Sequence, residues 1–430
     1  MEAHQISRPR ALRGNIRVPG DKSISHRAIL HNAIATGTAR VENLGPGDDI
    51  RSSISCMRAL GVTVEDTGPL GCRVHGAGPA GLHEPGDVID AGNSGTTTRL
   101  LAGILAGQPF LTIVTGDDSL RSRPMDRVID PLRAMGATAI ARGNDDYLPM
   151  AIRGGALRGI DYPLPVASAQ VKSCLLLAGA YAKGTTHLRE PAASRDHTER
   201  LLAAQGADIS VDGLDIVIQG GRELHSVDIQ VPGDTSAAAF WVIAACIHPD
   251  AELTIEGIGM SEGRTGFLDV LEMMGADVTV ANRRVEGGEE VADITARSSQ
   301  LRGVSFGGDL IPRLIDEAPI LAVAAACAEG DTVVSDAHEL RYKESDRIAA
   351  VARELTSLGV RIDERPDGMV IHGAPTIKGG AGDSHKDHRM AMALAIAGLV
   401  SLEPVQVLQP GSVTISYPGF WRDLERVSTS

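Results

Sequence analysis

The sequence predicts an α/β protein built from repeated units, with three units in each of two halves. Two observations support this prediction: a segment of helix, glycine and alternating strand occurs five times, and a short motif occurs once in each half. The chain has 430 residues, of which 43% are hydrophobic and 22% charged, so it is long enough to form two hydrophobic cores.

Each repeated segment reads as an amphipathic helix that ends at a glycine and is followed by an alternating strand. In residues 50–60 the apolar side chains recur at helical spacing. Glycine is favoured after a helix because it adopts the left-handed conformation at little cost. Asp196 and Glu199 have the spacing of a capping box at the start of one such helix. The glycines of the five segments are Gly61, Gly136, Gly206, Gly275 and Gly359.

The second repeat separates residues that serve the fold from candidates for function. Residues 18–23 read VPGDKS, and residues 231–236 read VPGDTS. Side chains shared by both copies are expected to serve the fold. Lys22 and Arg27 have no counterpart in the second copy, where a threonine and a phenylalanine stand instead. Lys22 and Arg27 are therefore the better functional candidates.

The two motif copies also mark the expected domain boundaries. The first short segment is expected to cross over and join the C-terminal half of the chain. This gives a domain 1 of residues 1–18 and 235–430, and a domain 2 of residues 19–234.

Composition excludes several functional classes. A net charge of −14, a pI near 5.4 and 3% aromatic residues disfavour nucleic-acid binding. The longest apolar run, residues 318–328, is too short to span a membrane. Residues 1–14 are polar and basic, unlike a secretory signal, so we expect a cytoplasmic protein.

The cysteines lack metal-binding spacing and are expected to be reduced and buried: Cys56, Cys72, Cys174, Cys246 and Cys327.

Several polar segments at predicted helix starts could bind small anions. Lys22, Ser23 and Arg27 lie at one helix entrance, and Ser23 and Arg27 share a helical face. Residues 92–99 (GNSGTTTR) could present backbone N–H groups, although they lack the GK[ST] of a Walker loop. Each segment alone is explained at least as well as a solvated helix cap. The remaining segments are residues 121–127, with Pro124 expected in a first helical turn, residues 168–173 (SAQVKS) and residues 195–197.

The C-terminal half carries the acid–base candidates. Asp316 precedes a long apolar run and is expected at the start of a buried helix. Lys343 and Arg347 are expected to share one helical face, with Glu344 beside them. Residues 387–389 (DHR) place further charges at the entrance of an apolar helix. A solvated run of charges is the alternative explanation for residues 341–347.

In these segments the chain resembles the 3-phosphoshikimate 1-carboxyvinyltransferase family of enolpyruvyl transferases from end to end. The motifs occur in the family's order over nearly the whole chain. They are PGDKSISHR (19–27), GNSGTTTR (92–99), RP (123–124), SAQVKS (168–173), IDEAP (315–319), RYKESDR (341–347) and DHRMAM (387–392).

The resemblance implies a fold and a reaction. The fold is a two-domain inside-out α/β barrel of six βαβαββ-type units, three per domain, which closes on ligands between the domains. The reaction is transfer of the enolpyruvyl group of phosphoenolpyruvate (PEP) to the 5-hydroxyl of shikimate 3-phosphate by addition and elimination, with release of phosphate. This step belongs to the shikimate pathway to chorismate and the aromatic amino acids. No cofactor, metal ion, nucleic acid or membrane is implied, and we expect a monomer.

The resemblance also implies residue roles, and it places the inhibitor glyphosate in the PEP site. The catalytic residues would be Asp316, Glu344, Lys22 and Lys343. Shikimate 3-phosphate would contact Lys22, Ser23, Arg27, Ser168, Ala169, Gln170, Arg195, Asp316 and Lys343. PEP would contact Lys22, Asn93, Gly95, Arg123, Gln170, Arg347, His388 and Arg389.

Some positions distinguish this chain from other members of the family. Ala169 stands where many relatives have a serine, and Leu100 stands where many have a proline. Ile415 falls where some members carry a PEP-binding lysine, so that contact is not expected here. Arg195 matches the branch of the family that has an arginine, rather than a tyrosine, in this segment.

Two other functions are alternatives to this one. The related transferase that acts on UDP-N-acetylglucosamine uses an active-site cysteine in a loop where this chain, over residues 116–127, has none. A non-catalytic anion-binding protein of the same fold is the second alternative. Lys22, Asp316 and Glu344 argue against it because anion binding alone does not require an acid–base group.

Overall fold

The computed structural model describes residues 2–286, 288–374 and 376–429, which form two compact domains. Domain 1 comprises the residues up to Asp21 together with those from Pro232 onward, and domain 2 comprises Lys22–Val231. The chain therefore leaves domain 1 after Asp21 and returns to it at Pro232.

The chain opens with two strands of domain 1 and continues through domain 2. The opening strands are β1 (Ala3–Ile6) and β2 (Ala11–Ile16). The helices of domain 2 are α1 (Lys22–Ile34), α2 (Asp48–Ala59), α3 (Gly95–Ala106), α4 (Asp126–Ala134), α5 (Ala169–Tyr181) and α6 (His197–Ala204). Its strands are β3 (Thr36–Glu42), β4 (Thr63–Gly68), β5 (Gly71–Ala77), β6 (Ile89–Asp90), β7 (Leu111–Thr115), β8 (Thr138–Arg142), β9 (Tyr147–Arg153), β10 (Asp161–Pro163), β11 (Thr185–Arg189), β12 (Asp208–Asp212), β13 (Asp215–Gln219) and β14 (Ile229–Gln230).

The remaining elements belong to domain 1. Its helices are α7 (Thr235–Ile247), α8 (Gly266–Met273), α9 (Ile311–Leu314), α10 (Ala318–Ala326), α11 (Arg347–Ser357), α12 (His388–Gly398) and α13 (Phe420–Val427). Its other strands are β15 (Ala251–Gly259), β16 (Asp277–Glu286), β17 (Glu289–Arg297), β18 (Ser305–Phe306), β19 (Asp331–Val334), β20 (Arg361–Arg365), β21 (Gly368–His372), β22 (Gly380–Asp383), β23 (Val405–Leu408) and β24 (Ser428–Thr429). Short 3-10 helices cover Leu120–Ser122, Glu262–Arg264, Gly308–Leu310, His338–Tyr342 and Pro410–Ile415.

The sheets of domain 2 repeat one topology. Their strand orders are β14-β3-β5-β4, β6-β7-β9-β8 and β10-β11-β13-β12. In each sheet the first two strands are parallel and the remaining pairs are antiparallel. The repeated helix–glycine–strand segments of the sequence therefore correspond to a repeated sheet.

Domain 1 repeats the same topology with variations. The sheet β18-β19-β21-β20 follows it directly, and the sheet β16-β17-β15-β2-β24 adds one strand. In the third sheet, β22 is parallel to β23, and β1 pairs with β23 in antiparallel fashion. That sheet has three strands among the described residues. The reduced unit explains why the sequence shows five helix–glycine–strand segments rather than six.

Apolar helices form the centre of each domain. In domain 2, α3 packs against α1 and α5, and in domain 1, α10 packs against α7 and α12. Helix α7 is apolar on all faces, and both of its large aromatic side chains, Phe240 and Trp241, are fully buried. A helix without a polar face is stable only when it is enclosed. These helices therefore occupy the core, and their ends fix the positions of the polar residues described below.

The glycines that follow the repeated helices adopt the conformation predicted from the sequence. Their φ angles are +92° at Gly61, +107° at Gly136, +91° at Gly206, +80° at Gly275 and +92° at Gly359. A residue with a side chain would be strained at these positions. The predicted helix ends are confirmed.

Candidate functional site

The predicted site residues lie mainly at the N-terminal ends of helices. In domain 2 they lie at the starts of α1, α3 and α5, and in domain 1 they lie at the starts of α10, α11 and α12. The first N–H groups of a helix have no partner within the helix and carry a partial positive charge. Such ends suit the phosphate and carboxylate groups of small anions.

Arg27 is held inside domain 2 by two hydroxyl groups and one backbone carbonyl. Its Nε donates to Thr198 Oγ1 at 2.7 Å, its Nη2 to Ser173 Oγ at 2.8 Å, and its Nη1 to the carbonyl oxygen of Ser23 at 3.0 Å. Ser23 and Arg27 share a helical face, as the sequence predicts. Arg27 is 2% exposed, so its orientation is fixed by the surrounding helices.

Lys22 and Arg195 both lie at the start of α1. Lys22 Nζ lies 3.1 Å from Asp49 Oδ2, near the start of α2. Arg195 Nη1 lies 3.4 Å from Ser23 Oγ. The structure therefore brings Lys22, Ser23 and Arg195 to the same helix end.

Gly95 begins α3 beside two guanidinium groups. A Cβ atom at Gly95 would lie 3.2 Å from Arg99 Nη1 and 3.3 Å from Arg123 Nη1. Arg123 also donates from Nη2 to Asn93 Oδ1 at 2.6 Å. A backbone without a side chain next to two cations suits the close approach of a small anion. Asn93, Gly95 and Arg123 are thus brought together.

Gln170 connects the start of α5 to α3. Its Nε2 donates to Thr96 Oγ1 at 2.9 Å, and its Oε1 accepts from Arg99 Nη1. Ser168 is the N-cap of α5 and accepts from the backbone N–H of Val171. Ala169 is the first residue of that helix. Gln170 therefore belongs to the same polar group as Gly95.

A buried hydrogen-bond chain lies beneath these helix ends. His26 Nδ1 is 2.7 Å from Ser53 Oγ, which is 2.8 Å from Thr97 Oγ1. Burial, together with the positive charges of Lys22 and Arg27, holds the pKa of His26 well below its ordinary value. His26 is therefore neutral and connects α1, α2 and α3 without adding charge.

Arg347 lies at the centre of the polar group in domain 1. Its Nε is 2.9 Å from Asp387 Oδ2, its Nη2 is 2.7 Å from Glu344 Oε2, and its Nη1 is 3.3 Å from Asp316 Oδ1. Burial would lower the pKa of Arg347, but the charges of Asp387 and Glu344 outweigh it and hold the pKa above its ordinary value. Arg347 is therefore a permanent buried cation.

The other acid–base candidates surround the same cation. Asp316 Oδ1 lies 3.7 Å from Lys343 Nζ, and Asp316 Oδ2 lies 3.9 Å from Arg389 Nη2. Asp316 precedes α10 by two residues, so the predicted position at a helix start is close to correct. The structure brings Asp316, Lys343, Glu344, Arg347 and Arg389 together.

Asp387 and His388 complete this group. Asp387 is the N-cap of α12 and accepts from the backbone N–H of Arg389 at 2.9 Å. His388 is fully buried, and its Nδ1 lies 3.9 Å from Asp387 Oδ1. Burial would raise the pKa of Asp387, but the charge of Arg347 holds it below its ordinary value. Asp387 therefore stays ionised.

Lys343 and Arg347 do not share a helical face, which corrects the prediction made from their spacing. Lys343 has extended backbone after the 3-10 helix His338–Tyr342, and α11 begins at Arg347. The cause is Asp346, whose side chain accepts from the backbone N–H of Ala349 at 3.1 Å and caps the helix.

Two helix starts also differ from the predictions. Asp196 is the N-cap residue of α6 but forms no capping hydrogen bond, because its carboxylate binds Arg200 Nε at 2.7 Å. Glu199 pairs with Lys172 at 2.7 Å, so the predicted capping box is wrong. Pro124 is not in a first helical turn, since α4 begins at Asp126.

Some residues of these groups were missing from the predicted site. Arg99 contacts Gln170 and lies one helical turn after Gly95, close to it in space. That spacing was a usable signal. Asp49 and Asp387 pair with cations 27 and 40 residues away in the chain, and no local pattern indicates such pairs.

Two positions that depart from the family pattern lie outside these groups. Leu100 is fully buried in the core of domain 2. Ile415 ends the 3-10 helix Pro410–Ile415 and is half-buried. A cavity of about 490 Å³ beside α2 is lined by none of the predicted site residues.

The described part of the chain contains neither a metal-binding cluster nor a membrane-spanning helix. In residues 2–286, 288–374 and 376–429 no group of three or more His, Cys, Asp or Glu side chains could hold a metal ion. No helix in the same ranges is long and apolar enough to cross a membrane. Cys327 is half-buried and the other cysteines are buried, all as free thiols.

Comparison with known proteins identifies relatives over the whole chain. The family model of EPSP synthase (3-phosphoshikimate 1-carboxyvinyltransferase) matches residues 6–424. A 3-phosphoshikimate 1-carboxyvinyltransferase of Chloroflexus aggregans is 54% identical over 426 residues, which is 98% of each chain. The enzyme of the same name from Herpetosiphon aurantiacus is 52% identical over 425 residues, again 98% of each chain.

Solved structures agree with this result. EPSP synthase from Acinetobacter baumannii superposes with a TM-score of 0.87 at 43% identity, over 99% of this chain and 98% of that one. The enolpyruvyl transferase NikO of Streptomyces tendae has a TM-score of 0.79 at 21% identity, over 100% of this chain and 98% of that one, and so shares the fold. The predicted fold class is confirmed.

Proposed function

The chain belongs to the EPSP synthase family, and from this membership we propose which of its residues bind the two substrates and which transfer protons. The enzyme transfers the enolpyruvyl group of PEP to the 5-hydroxyl of shikimate 3-phosphate and releases phosphate. This is a step of the shikimate pathway, which leads to chorismate and the aromatic amino acids. The family match decides against the two alternative functions.

We assign PEP binding in domain 2 to the group around Gly95. The observation that supports this most strongly is that Gly95 has no side chain where a Cβ atom would lie 3.2 Å from Arg99 and 3.3 Å from Arg123. Guanidinium groups bind carboxylates and phosphates through paired hydrogen bonds. Asn93 and Gln170 hold these arginines in place. Lys22 supplies a further cation.

Shikimate 3-phosphate is assigned to the neighbouring helix ends of domain 2. Ser23 and Arg195 are in contact, and Arg27 is fixed below them. A hydroxyl, the N–H groups of a helix start and cations together suit a phosphate group. Ser168, Ala169 and Gln170 offer the start of α5 for the rest of the ligand.

Proton transfer is assigned to domain 1. Asp316 removes the proton of the 5-hydroxyl, whose oxygen attacks C2 of PEP while Glu344 protonates C3. Removal of a proton from the resulting methyl group then restores the double bond as phosphate leaves. Lys343 lies 3.7 Å from Asp316 and stabilises the negative charge of the substrates. Placed acids and bases of this kind typically contribute about 10²–10⁴-fold in rate.

Binding of PEP to Arg347 would link substrate binding to proton transfer. The Nη2 atom of Arg347 lies 2.7 Å from Glu344. A PEP carboxylate that takes this position displaces Glu344 from the cation. A carboxyl group without an adjacent positive charge accepts a proton more readily. Arg389 and His388, at the start of α12, provide the remaining contacts to PEP in this assignment.

We also propose that the enzyme is a cytoplasmic monomer that uses no metal ion or cofactor. The chemistry supports this because side-chain cations can offset the charges of both substrates, and the free cysteines agree with a reducing compartment. Size-exclusion chromatography with light scattering tests the monomer directly. A mass of two or more chains would contradict it.

The acceptor specificity tests the proposed function. Phosphate release is measured with PEP and either shikimate 3-phosphate or UDP-N-acetylglucosamine, before and after treatment with EDTA. We expect phosphate release from PEP with shikimate 3-phosphate but not with UDP-N-acetylglucosamine. EDTA should have no effect on this release. Release with the nucleotide sugar, or with neither acceptor, would overturn the assignment.

A further inference from the structure

Lys172 is a buried cation that none of the proposed substrate contacts uses. It lies in α5, within the SAQVKS motif, and is 1% exposed. Its Nζ lies 2.8 Å from Glu190 Oε2 and 2.7 Å from Glu199 Oε1. Both carboxylates are also buried, each 5% exposed. An isolated charge cannot be buried at this depth without partners, so these three residues form one unit.

The ion pairs of Lys172 with Glu190 and Glu199 hold the segment that carries Arg195. Glu190 directly follows β11, and Glu199 lies in the first turn of α6. Between them, the carbonyl oxygen of Ser194 accepts from Lys172 Nζ at 3.4 Å, and Ser194 Oγ donates to Glu190 Oε1. Lys172 therefore contacts residues 190–199 at both ends and next to Arg195.

The neighbouring residue of α5 makes a parallel connection. Ser173 Oγ lies 2.7 Å from Thr198 Oγ1, and both hydroxyls accept from Arg27. Residues 172 and 173 thus hold Glu199 and Thr198, which are also adjacent in sequence. Two consecutive side chains of α5 fix the start of α6 together with both arginines assigned to shikimate 3-phosphate.

Stability alone gives little reason for such an ion pair. A buried salt bridge is commonly no more stable than apolar side chains of the same volume, because desolvation offsets the attraction between the charges. The ion pair instead fixes the conformation of residues 190–199, because Lys172 can bind three oxygen atoms only when this segment adopts one conformation.

We propose that Lys172 is a positioning residue that orients Arg195 for shikimate 3-phosphate through Glu190, Ser194 and Glu199. Lys172 does not touch the substrate. This inference rests on the proposed function, because it assumes that Arg195 binds that substrate. A small displacement of a binding group has large effects on substrate affinity and on rate.

The test compares Lys172→Met with Lys183→Met, the same substitution at an exposed lysine of domain 2. Steady-state kinetics give the KM for each substrate, and circular dichroism and thermal melting report the fold. For Lys172→Met we expect the KM for shikimate 3-phosphate to rise about tenfold or more, while the KM for PEP changes less than about threefold. Lys183→Met should match the wild type in both.

Ser194→Ala covers the case in which Lys172→Met does not fold, because Ser194 is only half-buried and its loss leaves the lysine paired. Loss of its hydrogen bond to Glu190 should raise the KM for shikimate 3-phosphate by about threefold. An unchanged KM for this substrate in both variants, or equal changes for both substrates, overturns the inference. A wild type that does not use shikimate 3-phosphate would instead overturn the proposed function.

Discussion

The Nη2 atom of Arg347 lies 2.7 Å from the carboxylate of Glu344, inside a group that also contains Asp316 and Asp387. Arg347 has no exposed surface, so its charge is not screened by water as a surface charge would be. All three carboxylates are oriented by one rigid guanidinium group. The candidate acid–base residues are thus held in place before any substrate binds.

Replacement of Glu344 tests the proton-transfer role. Glu344→Gln keeps the size of the side chain and a hydrogen-bond acceptor for Arg347, but it cannot donate and accept protons as a carboxyl group does. We expect kcat to fall by about 10²-fold or more, with melting temperature near that of the wild type. Glu425→Gln, at an exposed position of α13, is the matched control. A kcat within threefold of the control would remove Glu344 from the mechanism.

Replacement of Asp387 tests the structural support of Arg347. Asp387→Asn leaves a buried cation with one carboxylate fewer and weakens the cap of α12. Breaking a buried ion pair from one side typically costs about 3–5 kcal/mol. In urea denaturation, the free energy of unfolding of Asp387→Asn should be lower by about this amount. Asp309→Asn, at an exposed position of domain 1, should change the free energy of unfolding little. Equal stability of the two variants would contradict the account.

Gly95 should limit the space in the proposed PEP site. A methyl group there would lie closer to Arg99 and Arg123 than carbon atoms normally approach nitrogen, so one of the arginines must shift. Overpacking typically costs about 1–3 kcal/mol, which corresponds to about fivefold to about 140-fold in affinity. We expect the wild type to be inhibited by glyphosate, and Gly95→Ala to raise the inhibition constant by about tenfold or more, with some loss of PEP affinity.

The control for Gly95→Ala is Gly86→Ala, where a methyl group meets no atom within 4 Å. Inhibition constants measured in competition with PEP decide the result. Gly95→Ala with wild-type inhibition, or a wild type that tolerates millimolar glyphosate at low PEP, would show that Gly95 alone does not shape this site.

His372 should titrate above its ordinary pKa. Its ring nitrogens each lie 2.8 Å from a carboxylate, of Asp331 and of Asp363. The hydrogen bond to Asp363, followed by that to Asp331, raises the pKa of His372. The protonated form of His372 therefore stabilises the folded state. This stabilisation is complete below the pKa of about 6.5 in the unfolded chain, and it is lost as the pH rises through the pKa in the folded protein.

NMR titration of His372 checks this, with Asp363→Asn as the comparison. We expect a pKa above 6.5 in the wild type and a lower value in the variant. The carboxylate of Asp363 shows the reciprocal effect, since its own pKa is lowered by the hydrogen bond to His372. A wild-type pKa at or below 6.5 would rule out the pairing in solution.

Local patterns in the sequence predict local structure well. The glycine after each repeated helix has a positive φ, and Ser23 and Arg27 share a helical face, because both features depend on residues within one or two turns. Where a pattern failed, another partner competed for the same group. Asp196 binds Arg200 rather than the helix N-terminus, and Asp346 starts α11 later than the spacing of charges indicates.

Contacts between distant residues could not be predicted in this way. The pairs Lys22–Asp49 and Arg347–Asp387 depend on how separate helices pack, and no spacing in the chain encodes that packing. The resemblance to a family supplied most of the candidate site. It did not indicate that Arg347 would be surrounded by carboxylates, or that Lys172 would be buried beside the segment that carries Arg195.

The proposed role of the group around Arg347 is to move protons to and from C3 of PEP. The reaction is run in D₂O with PEP and shikimate 3-phosphate, and the product is analysed by mass spectrometry. Addition and elimination through a methyl group predict that the wild type places deuterium in the vinyl group of the product. If Glu344 transfers this proton, Glu344→Gln forms the labelled product at a lower rate, and each product molecule that forms still carries the label. A wild-type product without vinyl deuterium would contradict the account.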